Sequence, residues 1–132
     1  MISHSPEQEL YDAVFSTLST LGCTVYTHSP PPNTKMPYIR MGNTQLVPRL
    51  TKTKLLGSVY LDFSVWGGAL DRGKISGLMI NAMELLSKIK ETNLFHFEMS
   101  LERSTYELLA DQSSEDDLWQ ARASTEWATY AR

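Results

Sequence analysis

A chain of 132 residues, 42% hydrophobic and 20% charged, has enough apolar material for one core, which excludes a disordered chain and a split into two stable domains. A formal net charge of -3 excludes a generally basic surface for neutralising nucleic-acid phosphates, and the single cysteine, Cys23, excludes an internal disulfide and a cysteine zinc site. No apolar run approaches the ~20 residues of a membrane span, and the N-terminus has no signal-peptide pattern, so a soluble protein made in a reducing cytoplasm is expected.

The first helix is predicted to start at Ser5-Pro6. Ser5 can accept from an orphan N–H, and Pro6 has no N–H to lose at the first helical position. Glu7 and Glu9 complement the dipole of that first turn. Leu10, Val14, Leu18 and Leu21 recur at helical spacing, widened by Tyr11 and Phe15, and Gly22 is placed to end the helix in the left-handed conformation. A short strand is expected over Thr24 to His28, with Cys23 as a small core residue at its start. Pro30-Pro31-Pro32 then imposes an extended connection.

Pro37 opens the next strand, in which Ile39 and Met41 alternate with Tyr38 and Arg40. The pattern decays towards Pro48, and residues 47–57 read as a polar, mobile hairpin arm carrying Arg49, Lys52 and Lys54. Past Gly57 the alternation is clean. Val59, Leu61, Phe63 and Val65 form one face, and Tyr60, Asp62, Ser64 and Trp66 the other, as in a central strand with one face on the core. After Gly67-Gly68 a second helix is predicted from about Asp71, carrying Ile75, Leu78, Met79, Ala82, Leu85, Leu86 and Ile89, with Lys88 and Lys90 at its C-terminus.

Phe95, Phe97, Met99 and Leu101 then alternate with His96, Glu98, Ser100 and Glu102. After an acidic turn from Asp111 through Glu115, Asp116 and Asp117, a last strand sets Trp119, Ala121, Ala123 and Trp127 on one face. The expected fold is α+β, in the order α-β-β-β-α-β-β. It has a mostly antiparallel sheet of about five strands and both helices on one face.

The residues suited to chemistry form no set. His4, His28 and His96 share no metal-ligand spacing, and the acids at 115–117 do not match a calcium loop. Gly67-Gly68 with Gly73 and Gly77 lacks the lysine and hydroxyl of a phosphate loop, so it reads as a tight strand-to-helix turn. The candidate interface residues are the basic arm, the acidic turn, and Tyr60 and Trp66. Aromatics on a strand's non-core face are either covered by another layer or left as an interface.

Taken in order, these parts resemble the tail terminator (tail-completion, tail-to-head joining) proteins of long-tailed bacteriophages. The resemblance runs through the helix Gln8 to Leu21, Pro30 to Pro32, Pro37-Tyr38-Ile39, the arm Val47 to Leu55, Val59 to Trp66 and the helix Asp71 to Lys90. It closes with Phe95 to Tyr106 and Leu118 to Tyr130, and covers almost the whole chain. Asp117-Leu118-Trp119 and Trp127-Ala128-Thr129-Tyr130 are similar to the family's last strand, which begins after an acidic turn and closes on aromatics. One departure is the length of Phe95 to Asp111, where Leu108-Leu109-Ala110 suggests an extra turn or short helix.

The resemblance implies a single-domain, late structural protein of the virion with no cofactor and no catalysis. It implies a ring, typically of six copies, that caps the head-proximal end of the tail tube, stops tube growth and docks on the head. The implied partners are further copies of the chain, the major tail tube protein and the head-connector or stopper protein. Genomic DNA would pass through the lumen without sequence-specific binding, no membrane is involved, and assembly takes place in the host cytoplasm. A ring needs unlike patches that close, and the basic arm and acidic turn are a complementary pair for that. The other readings are a neck or head-completion protein of the same virion, and a cellular ligand-binding or enzymatic α+β domain.

Overall fold

The computed structural model describes residues 5–50, 55–111 and 117–132. Their order is α1 (Pro6–Leu18), a 3-10 turn (Ser19–Leu21), β1 (Val25–Tyr26), β2 (Tyr38–Leu50), β3 (Leu55–Gly68), α2 (Arg72–Leu86), β4 (Phe95–Asp111) and β5 (Leu118–Ala131). The strands form one sheet in the order β1-β2-β3-β5-β4. Every neighbouring pair is antiparallel except β1 with β2. Both helices pack on one face, giving the expected α+β architecture.

Local chemistry sets the start and end of α1. Ser5 Oγ accepts from Gln8 N at 3.4 Å, Pro6 fills the first helical position, and Gly22 closes the following turn at φ +90°. Leu10, Val14 and Leu18 are fully buried against Val59, Leu61, Phe63 and Val65, the inward side of β3 predicted from its alternation. Ile75, Met79, Ala82 and Leu86 bring α2 onto the same core. Asp71 precedes α2 without capping it; its carboxylate turns back and accepts from Gly68 N at 2.9 Å. The helix also stops earlier than its apolar stripe suggests, at Leu86, leaving Lys88 and Lys90 beyond it.

Glu9 is buried on α1, and its Oε1 accepts from Thr92 Oγ1 at 2.5 Å and from Leu94 N at 3.0 Å. A helix side chain thereby satisfies the donors of the connection from α2 to β4. Glu9→Ala would leave those donors without an acceptor, an expected loss of about 1–3 kcal/mol. A shift of the urea midpoint corresponding to that loss is the check; an unchanged midpoint would mean that solvent replaces the carboxylate freely.

Three sequence expectations need correction. The strand expected over Thr24 to His28 is only Val25–Tyr26. It pairs with Ile39 and Arg40, and the β2 register shifts between Met41 and Thr44, just where a longer β1 would have to continue. Gly42 lies in that bulge, and a Cβ there would sit 2.8 Å from the Asp62 carbonyl oxygen.

The second correction concerns Leu101, expected on the core face of β4 but 64% exposed. Ser100 pairs with Glu126 and Thr105 with Ser124, so residues 101–104 face Thr125 alone and are pushed out as a bulge. Ser104 pins this bulge: its Oγ donates to Ser100 O at 2.6 Å and accepts from Glu126 N at 3.1 Å.

The third is Leu108-Leu109-Ala110, which is strand, not a turn or short helix. These residues pair with Ala121, Gln120 and Trp119, so the ladder overrides the helical preference of leucine and alanine. The β2–β3 pairing likewise runs on past Pro48 to Leu50–Leu55. The tip of the expected mobile arm lies outside the described residues.

Candidate assembly interface

The strand rows place the interface candidates. Leu56 pairs with Tyr130 at one end of β3, and Gly68 with Leu118 at the other, a separation of about 40 Å at ~3.3 Å per residue. Arg49 pairs with Leu56 at the first end, and Asp111 with Leu118 at the second. The root of the basic arm and the roots of the acidic turn, Asp111 and Asp117, therefore stand at opposite ends of one sheet. They cannot meet within a chain. Lys52, Lys54, Glu115 and Asp116 lie outside the described residues.

Tyr60 and Trp66 both project from the sheet face away from the helices, with different outcomes. Tyr60 is 36% exposed. A hydrogen bond to Glu126, reinforced by that carboxylate's charge, raises the Tyr60 phenol above its usual pKa. Glu126 also pairs with Arg103 at 3.2 Å. Trp66 is half-buried and stacks on Tyr38 at 6.4 Å between ring centroids, and Tyr38 meets Tyr26 edge-on at 5.6 Å. Burial raises the Tyr38 phenol. Trp66 is thus partly covered by a small aromatic layer, whereas Tyr60 stays at the surface.

The acidic end of the sheet carries an open cleft of about 900 Å³, lined by Pro30, Pro31, Tyr38, Leu70, Asp71 and Asp117 among others. Leu70, at its rim, is 99% exposed on the tight β3–α2 turn. The sequence reading missed both features. The proline run and the turn are far apart along the chain, and only the β2–β3 ladder brings them together. A leucine straight after Gly67-Gly68-Ala69, before the helical stripe begins, was the available signal.

Reactive groups are scattered. Cys23 is half-buried, and desolvation raises its thiol pKa, which lowers the thiolate fraction at neutral pH. His28 lies beside Thr27 near the proline loop, and His96 lies 3.9 Å from Glu91 at the opposite end of the sheet. Among the described residues no group of three or more His, Cys, Asp or Glu is placed to hold a metal ion, and no helix is long and apolar enough to cross a membrane.

No protein-family model and no curated protein sequence matches the chain. Among solved structures, it is similar to a chain of "Virion of native gene transfer agent (GTA) particle" with a TM-score of 0.71 at 16% identity. The match covers 98% of this chain and 100% of the other. The likeness is one of fold, and it extends over the whole of both chains.

Proposed function

We propose that the protein is a structural component of a phage-like virion, acting as a tail terminator. It forms a ring on the head-proximal end of the tail tube, ends tube growth and joins the tail to the head connector. The observation that supports this reading most is the end-to-end fold likeness to a chain of a gene transfer agent virion. The ordered set of elements in the sequence supports it independently. On this reading the protein's work is assembly geometry, and its functional residues are contact residues.

The charged ends of the sheet fit such a role. A ring whose axis runs roughly along the strands would present the Arg49 end on one rim, and the Asp111 and Asp117 end, with Leu70 and its cleft, on the other. Two chemically different rims suit two different partners, a tube and a connector. The arm-to-turn pairing between neighbouring copies is the other use of these charges, and it needs copies staggered along the strand direction by the length of the sheet.

The test is tail assembly in a producing cell from which this chain is removed. Overlong tubes and tailless heads are expected, with normal tails restored by supplying the chain. Normal-length tails joined to heads in its absence would overturn the terminator role. Overlong tubes that stay overlong when the chain is supplied would do the same.

A further inference from the structure

Two strands on opposite sides of the sheet, β2 and β4, carry opposite charge. β2, which is outermost wherever the two-residue β1 does not cover it, holds Arg40 and Arg49 and no acid, whereas edge strand β4 holds Glu98, Glu102, Glu107 and Asp111 against one arginine, Arg103, already paired with Glu126. Alternation puts Arg40 and Arg49 on the sheet face away from the helices, and the same rule puts Glu98 and Glu107 there, opposite Ala128 and Arg122. All four are exposed.

The heights also match. The ladder runs Arg40–Ser64–Arg122–Glu107 in one row, and Val47–Ser58–Ala128–Glu98 in another, two residues from Arg49. β1 covers β2 only at Ile39 and Arg40, so among the described residues no strand pairs with the outer edge of β2 from Met41 to Leu50. β2 and β4 run in opposite directions, so copies related by rotation about an axis along the strands bring β4 antiparallel to the next copy's β2.

We infer that the β4 edge of one copy packs against the β2 edge of a second copy. Glu98 lies beside the neighbour's Arg49, Glu107 faces its Arg40 across the two residues of β1, and the exposed Leu101 and Val47 lie at the same seam. This inference rests on the ring reading and names the contact that closes the ring. The occupant is a second copy because the matched charges, rows and strand directions all belong to this chain. The contact joins unlike surfaces, so it repeats with one sense and closes into a ring when the rotation permits. It also resists running on as an open ladder. Ile39 N donates to Thr24 O, away from β3, and the same alternation through the bulge points position 48 outward, where proline has no N–H to offer. The β4 bulge interrupts the other edge.

Two charge-reversal variants of the full chain test the contact: Glu98→Lys with Glu107→Lys on β4, and Arg40→Glu with Arg49→Glu on β2. Each alone places like charges at every seam, and should need about tenfold or more protein than wild type to reach the ring mass in light scattering at low salt. Mixed in equal amounts, they should regain the ring, because in an alternating ring each seam joins either two reversed edges or two unreversed ones, and both kinds set opposite charges side by side. Native mass spectrometry should find only even, alternating rings. Circular dichroism melts of each variant separate misfolding from lost contact, and recovery in the mixture itself requires folded chains.

A wild-type ring that both variants still form, or a mixture that stays apart although both variants fold, would overturn the edge contact and leave the ring reading standing. A wild-type chain that forms no ring, alone or on tail tubes, would overturn both.

Discussion

Phe63→Ala is expected to cost about 3–5 kcal/mol, on the scale of large-to-small changes at fully buried aromatic positions. Phe63 is 1% exposed in the central strand, directly between Met41 on β2 and Ala123 on β5. The small alanine beside it makes room for the ring, and both helices roof the same face, so little can collapse into the space left behind. Phe63→Leu should cost much less, about 1 kcal/mol, because most of the volume is kept. Chemical denaturation followed by circular dichroism gives both values. A Phe63→Ala loss below about 1 kcal/mol would mean that β3 presents its other face to the core.

Trp127→Ala should be as damaging, about 3–5 kcal/mol, for a reason that is partly polar. Trp127 is fully buried between Val59 and Met99, with Phe97 edge-on at 6.5 Å between ring centroids. Its Nε1 donates to Thr125 Oγ1 at 2.8 Å, and that hydroxyl donates to Leu61 O at 2.7 Å. The indole thus finds a buried partner two residues away on its own strand, which is what allows a tryptophan to sit wholly inside. Trp127→Phe separates the two contributions. It keeps most of the ring volume and removes the N–H, so a loss of about 1–2 kcal/mol is expected. Equal losses for Trp127→Phe and Trp127→Ala would assign the whole effect to the hydrogen bond and contradict the packing account.

These two residues anchor the rigid sheet on which the proposed contact surfaces depend. The edge charges on β2 and β4 match in height only while both strands keep their register with β3 and β5. A core variant that lets the register slip would therefore weaken assembly without touching a contact residue. Surface charge effects should fade as salt rises, whereas core effects should persist, so assembly measured across a salt series distinguishes the two.

Periodicity by itself determined both helices, the inward face of β3 and the α+β class, because burial on one face of an element leaves a repeat of 3.6 or 2 in the chain. The start of α1 was legible for a different reason, because capping by Ser5 and the placement of Pro6 are a local matter of orphan N–H groups. Tertiary structure alone decided the rest. The exposure of Leu101 and the strand at Leu108-Leu109-Ala110 both depend on what β5 offers across the ladder. There, three extra residues on β4 turn an apparently core-facing leucine outward. Strand order put β4 at one edge and left β2 outermost beyond the two-residue β1 at the other, and ladder register brought Arg40 into a row with Glu107 and set the basic and acidic ends about 40 Å apart. Pairing between distant segments leaves no periodic trace in either one, so the face of a strand is legible in its sequence and its neighbour is not.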